Sequence, residues 1–428
     1  MSPDLWAATG IGFGFLAILV LAEVSRKSWH LSTESSRKIV HVGGGLLTLP
    51  LPWLVTSPHV VLGLAVASSI LLFAGRKLKT LKSVHAVHRR TGGSEYFPLA
   101  VALLFVLSLD REWLYLASML VLAVADAGAA LIGSRHGRLR YWVEQEDKSV
   151  EGSLVFLLLA WPVIFLPSFL LTELPLSILL PGTLIVALLV TGFEAISTGG
   201  TDNLFVPIGV CVILPKITAQ PAEEIHYQLL GLLAMFPLGG WLAWRTRTFH
   251  AGGAIAILMF CYGAWTLASE RWAVAPLAGF VTYALGRRIL PARPEREAPV
   301  RVVIVFRTVV TALLLLVIAN LHHLHEPLGE AYAMAVAAGI VHSLWNHWQI
   351  RNEGKRGREI LYCALTICSL WISLAVLDAA KPLAFLLLLL LPAANTLFQK
   401  ITHRPPQPWG AFQLSLTLIA TITTAINS

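Results

Sequence analysis

Four carboxylic acids stand out because each lies inside an apolar segment or at its edge. Asp126 is in the middle of one segment, Glu151 and Asp202 each begin one, and Glu194 ends one. An ionisable group within a membrane-spanning segment costs at least about 2.5 kcal/mol, so its presence indicates a function. Carboxylate oxygens are ligands that Mg²⁺ prefers. The four acids therefore predict a magnesium site.

Basic side chains accompany these acids. The segment ESSRKIVHVGGG carries Arg37, Lys38 and His41 before three glycines, and Lys148 lies three residues before Glu151. Arg37 and His41 are four residues apart and so share one face of a helix. Cations beside carboxylates suit Mg²⁺-dependent phosphoryl transfer, in which the metal bridges phosphate oxygens and the cations bind the remaining charge. The alternative for the first segment is a basic membrane-edge anchor followed by small-residue helix packing.

Helix capping is the alternative explanation for an acid at the start of a segment. In DKSVEGS, Asp147 or Ser149 would cap the following helix, and Glu151 would lie in its first turn, where an acid is favourable. Asp202 would cap the next segment in the same way. Capping does not explain Glu194, because the helix dipole disfavours an acid at a C-terminal end.

Small residues follow Asp126 along its segment. By helical spacing, Ala129, Ala130 and Gly133 lie on the same face as Asp126. We therefore expect a smooth strip beside Asp126 against which a ligand can lie.

The composition is that of a membrane protein. The chain of 428 residues is 56% hydrophobic and 13% charged, with a mean hydropathy of +0.71, whereas soluble domains carry about 25% charged residues. Apolar runs long enough to cross a bilayer recur along the whole length. We predict an all-α polytopic membrane protein of about 14–16 transmembrane helices, with the motif loops on the cytoplasmic face. The candidate spans lie near 5–24, 39–55, 59–74, 97–109, 113–134, 153–170, 174–194, 203–215, 227–244, 251–268, 271–287, 302–321, 330–349, 359–378, 382–399 and 409–426.

The distribution of basic residues predicts the orientation. If the connections between spans lie alternately on the two sides of the membrane, beginning with an N-terminus outside, 27 of the 32 Lys and Arg residues fall on one side. By the positive-inside rule that side is cytoplasmic, and both termini are outside. The isoelectric point near 9.5 then reflects loops that face the anionic lipid of the bilayer, and nucleic acid is not an expected partner.

A polar, Pro- and Arg-rich segment separates two apolar blocks. We predict a membrane domain over residues 1–290, a basic linker over 291–302 and a C-terminal transmembrane block over 303–428. Every acid and cation considered above precedes the linker. The C-terminal block contains a separate group of polar residues: His322, His323, His325, His342, Asn346 and His347.

Five segments, in the same order along residues 30–215, resemble the dolichol kinase/phytol kinase family of CTP-dependent polyprenol kinases. They are ESSRKIVHVGGG, GGSEYFP, DAGAALIGSRHG, DKSVEGS and EAISTGGTDNLFVP, of which the last two are the most specific. The resemblance implies a lipid kinase that transfers the γ-phosphate of CTP, with Mg²⁺, to an isoprenoid alcohol such as phytol, geranylgeraniol or dolichol.

The residue pattern and the resemblance together indicate roles for individual residues. By resemblance, Lys148, Ser149, Glu151 and Gly152 would contact the nucleotide. Asp126, Glu151 and His41 are the expected catalytic residues, and Asp126, Glu151, Glu194 and Asp202 are the expected metal ligands. The residues expected to bind the nucleotide are Lys148, Ser149, Gly152, Asp202, Asn203, Arg37 and Lys38.

Three other functions are compatible with parts of the pattern. A CTP-dependent diacylglycerol kinase would differ only in the alcohol. A CDP-diacylglycerol-type cytidylyltransferase also uses CTP, but the KR, KD and PGHGG elements typical of its C-terminal region are absent from the sequence. A transporter would explain many spans with intramembrane acids, but the two halves show no inverted repeat of charge.

Overall fold

The computed structural model describes residues 2–30, 33–78, 93–144, 146–246, 248–289 and 300–349. Within these ranges nearly every residue is helical. By length and composition, six of the described helices can cross a membrane: Pro3–Ser28, Pro58–Lys77, Glu112–His136, Val150–Leu171, Leu176–Ile196 and Val302–Asn320. The chain is therefore an all-α polytopic membrane protein, as predicted.

The helices follow the predicted spans up to residue 349, except that a turn at residues 49–50 divides the span predicted near 39–55 into two helices. In chain order they are α1 Pro3–Ser28, α2 Thr33–Thr48, α3 Leu51–Leu54, α4 Pro58–Lys77, α5 Gly93–Leu107, α6 Glu112–Leu120, α7 Asp126–His136, α8 Val150–Leu171, α9 Leu176–Ile196, α10 Asp202–Thr218, α11 Ala222–Thr246, α12 Ala251–Leu267, α13 Glu270–Ile289, α14 Val302–His322 and α15 His325–Gln349. The predicted spans at 359–378, 382–399 and 409–426 lie outside the described residues.

A π-helical turn, Val121–Ala125, joins α6 to α7 within one continuous helix. A π-helical turn shifts the backbone hydrogen bonds from the i−4 to the i−5 partner, which leaves carbonyl groups available to other donors. The turn ends immediately before Asp126. No feature of the sequence analysis predicted it.

A short β-hairpin interrupts the helices between α7 and α8. Strand β1, Arg140–Val143, pairs antiparallel with strand β2, Glu146–Ser149, in a register that sets Tyr141 opposite Lys148. Glu144 adopts a positive φ of 53° in the connection. The hairpin occupies the DKSVEGS region, so the second strand delivers its residues directly to the start of α8.

Two consecutive glycines shape the connection from α9 to α10. Gly199 and Gly200 have φ values of 66° and 82°, which side chains other than glycine rarely adopt. The hydroxyl of Thr201 donates to the carbonyl of Thr198 at 2.9 Å and closes the turn. The chain thereby reverses direction within a few residues and presents Asp202 at the first position of α10.

The chain divides into two compact units between Leu232 and Leu233, within α11. This division differs from the predicted linker at 291–302, because α12 and α13 precede that linker but pack with α14 and α15. In the C-terminal unit, a Cβ on Gly339 would overlap the carbonyl of Thr308, and the hydroxyls of Thr308 and Ser343 are 2.9 Å apart. Close helix contact through small residues thus extends this unit across the linker.

Candidate active site

Asp126 is contacted by two basic side chains from α2, Lys38 and His41. The Lys38 ammonium lies 2.7 Å from Asp126 Oδ2, and Nε2 of the His41 ring lies 3.3 Å from the same oxygen. The side chains of Lys38 and Asp126 are only 9% and 14% exposed. The Arg37 charge also acts on Asp126. The sequence suggested that Arg37 and His41 act as a pair, whereas in the structure Lys38 and His41, three residues apart, meet the carboxylate together.

The π-helical turn contributes to this arrangement. His41 Nε2 is 2.9 Å from the carbonyl oxygen of Leu122, which lies within the turn. A Cβ on Gly45 would lie 2.5 Å from the Cβ of Ala123, so only glycine lets α2 approach the turn this closely. The glycine run after His41 therefore serves helix packing, and this packing places His41 and Lys38 over Asp126.

A second ion pair joins the hairpin to the end of α9. The Lys148 ammonium lies 2.9 Å from Glu194 Oε1 and also donates to the backbone carbonyl of Glu194. Burial lowers the pKa of the Lys148 ammonium, but the carboxylates of Glu194 and Asp202 outweigh it and hold that pKa above its usual value. Lys148 is thus a cation, and it offsets the unfavourable position of Glu194 at a helix C-terminus.

Two hydroxyl groups extend this second pair. The Tyr141 hydroxyl is 2.8 Å from Ser153 Oγ, and Ser153 Oγ donates to Glu194 Oε2 at 3.5 Å. Burial and the Glu194 carboxylate raise the pKa of the Tyr141 phenol, so the phenol keeps its proton. Tyr141 could not be predicted from the sequence, because only the register of the hairpin brings it beside Lys148.

Asp202 lies within the electric field of both ion pairs. The charges of Asp126, Lys148 and Lys38 all act on its carboxylate. Asp202 Oδ1 accepts a hydrogen bond from the backbone N–H of Asn203 at 2.9 Å. Five side chains that the sequence predicted are therefore near neighbours. They come from α2, α7, the hairpin, α9 and α10: Lys38, Asp126, Lys148, Glu194 and Asp202.

The loop before Asp202 is tied to neighbouring elements. Glu146 Oε1 accepts a hydrogen bond from the backbone N–H of Gly199 at 2.9 Å. The Asn203 amide donates to the carbonyl of Gly93 at 2.8 Å. Asn203, predicted to bind nucleotide, thus joins the start of α10 to the start of α5. Glu146 was not singled out from the sequence, and its position among acids and amides offered no distinguishing signal.

The remaining residues of DKSVEGS have backbone partners. Ser149 is the N-cap of α8, and its Oγ accepts from the N–H of Gly152 at 3.1 Å, which confirms the capping alternative for Ser149. Glu151 Oε1 accepts from the backbone N–H groups of Arg138 and Leu139 at 2.9 and 3.1 Å. Glu151 therefore holds the loop between α7 and β1.

The expected smooth strip beside Asp126 is covered by α8. A Cβ on Gly152 would lie 3.3 Å from both the carbonyl oxygen of Ala129 and the Cα of Gly133. The expectation that a ligand lies there was wrong, because small residues on both helices allow the two backbones to meet. Gly152, predicted to contact nucleotide, lies in this helix contact.

The carboxylate oxygens of these acids are ligands of the kind that Mg²⁺ prefers. Among the described residues, no group of three or more His, Cys, Asp and Glu side chains is arranged to hold a metal ion. Mg²⁺ in phosphoryl-transfer sites is usually bound by one or two carboxylates together with substrate phosphates and water, so a protein cage is not required. Asp126 and Asp202, whose charges act on each other, offer such carboxylates.

The other polar groups that the sequence singled out lie in α5 and in the C-terminal unit. Glu95, in the GGSEYFP segment, pairs with Arg76 at 3.0 Å. In the C-terminal unit, His325 Nε2 is 3.0 Å from the carbonyl of Leu267, and His322 and His323 are exposed. The side chains of His342, Asn346 and His347 lie outside the described residues.

The chain is similar to a known kinase. Over 219 residues the chain is 34% identical to a phytol kinase from Synechocystis sp., and the matched region covers 50% of this chain and 92% of that relative. No protein-family model matches the chain. No solved structure matches it.

Proposed function

Because the chain belongs to the dolichol kinase/phytol kinase family, we propose that it transfers the γ-phosphate of CTP to an isoprenoid alcohol such as phytol, geranylgeraniol or dolichol. The observation that carries this proposal is the pair of buried contacts Lys38–Asp126 and Lys148–Glu194, with Asp202 in the field of both. Support for CTP comes from the resemblance of the segments around Lys148 and Asp202 to those of CTP-dependent kinases.

The two lysines supply the positive charge that a triphosphate needs. Each is buried and paired with a carboxylate, Lys38 with Asp126 and Lys148 with Glu194. A phosphate oxygen can share the ammonium with that carboxylate, because an ammonium group has three N–H donors. We assign Lys148 to the nucleotide phosphates and Lys38 to the transferring phosphoryl group.

Two of the acids would bind the metal, and one of them also orients the alcohol. We assign Asp126 and Asp202 as the residues that would hold Mg²⁺, which when bound supplies charge neutralisation at the β- and γ-phosphate oxygens. Lys38 and His41 fix the direction of the Asp126 carboxylate. This restraint lets Asp126 orient the alcohol hydroxyl by accepting its hydrogen bond.

In the transfer step, the alcohol oxygen forms a bond to the γ-phosphorus as the bond from that phosphorus to the β–γ bridging oxygen breaks. CDP leaves with the bond electrons, and the hydroxyl proton passes to an oxygen of the transferred phosphate. The protein mainly positions the groups and stabilises charge, because little covalent chemistry falls to it in phosphoryl transfer. Glu151 acts at a distance, by holding the loop that precedes the hairpin.

We place this site at the cytoplasmic side of the membrane, with both termini outside. The support is the distribution of basic residues, 27 of 32 on one side. A cysteine at the exposed position of Arg140 should react with an impermeant thiol reagent only in inside-out vesicles. Reaction in right-side-out vesicles would contradict the placement, because CTP could not reach the site.

The test of the function is a transfer assay with the purified protein in detergent. CTP and ATP labelled at the γ-phosphate are offered with Mg²⁺ to phytol, geranylgeraniol, dolichol and diacylglycerol. We expect labelled isoprenoid phosphate and CDP, with CTP preferred. Release of pyrophosphate would indicate a cytidylyltransferase, label only in phosphatidic acid would indicate a diacylglycerol kinase, and no product from any alcohol would contradict the proposal.

A further inference from the structure

An apolar crevice lies between four helices of the N-terminal unit. It has a cavity volume of about 40 Å³. Its walls include Phe15 of α1, Leu47 of α2, Ala65 and Ser68 of α4, and Phe97 and Val101 of α5. Thr48, which also lines it, directs its hydroxyl to the carbonyls of Gly44 and Gly45. The crevice therefore offers hydrocarbon surface and little polarity.

Phe97 borders both the crevice and the candidate active site. The Phe97 ring meets the His41 ring edge-on, with ring centroids 5.5 Å apart, and His41 contacts Asp126. Leu47 lies six residues beyond His41 on α2, which corresponds to about 9 Å along the helix. An extended alkyl chain that begins at Asp126 and follows α2 would therefore enter the crevice within its first isoprene units.

Two of the helices around the crevice also face the lipid. On α1, Phe13 is 68% exposed, and on α4, Leu62 is 51% exposed. Apolar side chains exposed on long apolar helices are the surface that contacts bilayer hydrocarbon. The outer surfaces of α1 and α4 are therefore suited to contact a hydrocarbon chain that extends beyond the crevice.

We propose that this crevice holds the first isoprene units of the alcohol and accepts their methyl branches, while the rest of the tail extends into the bilayer. The inference rests on the proposed function, since it identifies how the same site selects its substrate. The small volume favours this assignment, because it suits branch methyl groups and not a whole tail. The crevice thus distinguishes a branched isoprenoid alcohol from a linear alcohol, and it leaves the total chain length unrestricted.

The test fills the crevice and compares two alcohols. Ala65, buried on the crevice wall, is changed to Val, and the matched control is Ala67→Val, two residues away on the exposed face of α4. Each buried methylene group contributes about fourfold in affinity. We therefore expect Ala65→Val to lower kcat/KM for phytol by about tenfold. The kcat/KM for octadecanol, a linear alcohol, and the KM for CTP should each change by less than about twofold.

The control and the unaltered protein define the other outcomes. Ala67→Val should retain the preference of the unaltered protein for phytol over octadecanol. Equal use of the two alcohols by the unaltered protein, or an unchanged preference in Ala65→Val, would overturn the crevice assignment while leaving the kinase proposal intact. Failure to phosphorylate any isoprenoid alcohol would instead overturn the proposed function.

A binding measurement covers the case in which Ala65→Val does not fold. The unaltered protein is irradiated with a phytol analogue that carries a diazirine on its first isoprene unit, and the labelled peptides are identified by mass spectrometry. Labelling of peptides that contain Phe15, Leu47 or Ala65, reduced by excess phytol, is the expected result. Labelling confined to other helices, or unaffected by phytol, would contradict the proposal.

Discussion

The two buried ion pairs, Lys38–Asp126 and Lys148–Glu194, have similarly exposed side chains but are held by different structural elements. Lys38 and Asp126 belong to α2 and to the helix that contains the π-helical turn, and the contact of Gly45 with Ala123 sets their separation. Lys148 belongs to a β-strand and Glu194 to the last turn of α9. The first pair is thus fixed by helix packing, whereas the second depends on a hairpin and a loop. We expect the first to define the reacting geometry and the second to adapt to the nucleotide.

The largest effect is expected from Asp126→Asn, which removes the carboxylate of the Lys38–Asp126 pair. Turnover should fall by at least about a thousandfold, because the alcohol and the phosphoryl group lose the charge that positions them. Stability should also fall, by about 3 kcal/mol, since Lys38 is left buried without its counter-charge. Transfer assays and thermal unfolding are the measurements, with Asp110→Asn in an exposed turn as the matched control. Near-normal turnover would remove Asp126 from the mechanism.

The sequence predicted the members of both pairs, but not the local structures that bring them together. A lysine, a histidine and an intramembrane acid were recognisable because each is costly in an apolar environment. The close approach of α2 to α7 could not be predicted, because it depends on a π-helical turn that has no sequence signal. The hairpin was missed because its turn lacks the Asn-Gly or Asp-Gly signal typical of short hairpins, and Glu144 supplies the positive φ instead. The contribution of Tyr141 therefore could not be predicted.

A smaller effect, mainly on nucleotide binding, is expected from Lys148→Met, which removes the cation of the Lys148–Glu194 pair. The KM for CTP should rise by about 10- to 100-fold, because a charge-assisted contact to phosphate is lost. The kcat should change less, since Lys38 and Asp126 remain in place. Lys27→Met, at an exposed lysine in the last turn of α1, is the control. A fall in kcat with an unchanged KM for CTP would assign Lys148 to the reacting phosphoryl group instead.

The raised pKa of Lys148 predicts how the second pair responds to pH. A group whose pKa is higher in the folded than in the unfolded state stabilises the fold below its ordinary pKa, 10.5 for lysine, and loses this contribution as the pH rises through the folded-state value. The difference in melting temperature between the unaltered protein and Lys148→Met should therefore be constant from about pH 7 to pH 10 and shrink above it. A difference that disappears by about pH 9 would show that the carboxylates do not hold the proton on Lys148.

The smallest effect is expected from Glu151→Gln. The amide oxygen of Gln can still accept from the backbone N–H groups of Arg138 and Leu139, so the loop keeps most of its restraint. Turnover should fall by less than about tenfold, with a slight loss of thermal stability. A loss of a hundredfold or more at unchanged stability would instead support the expectation, based on the sequence, that Glu151 binds the metal or the phosphates.

The central claim is that the Lys38–Asp126 pair performs phosphoryl transfer and is not merely a structural contact. The double variant Lys38→Met/Asp126→Leu tests this most directly, because replacing both partners of a buried ion pair with apolar residues often preserves stability. We predict a protein that melts at or above the temperature of the unaltered chain but transfers no detectable phosphate from labelled CTP to phytol. A folded double variant that phosphorylates phytol at close to the normal rate would contradict the account.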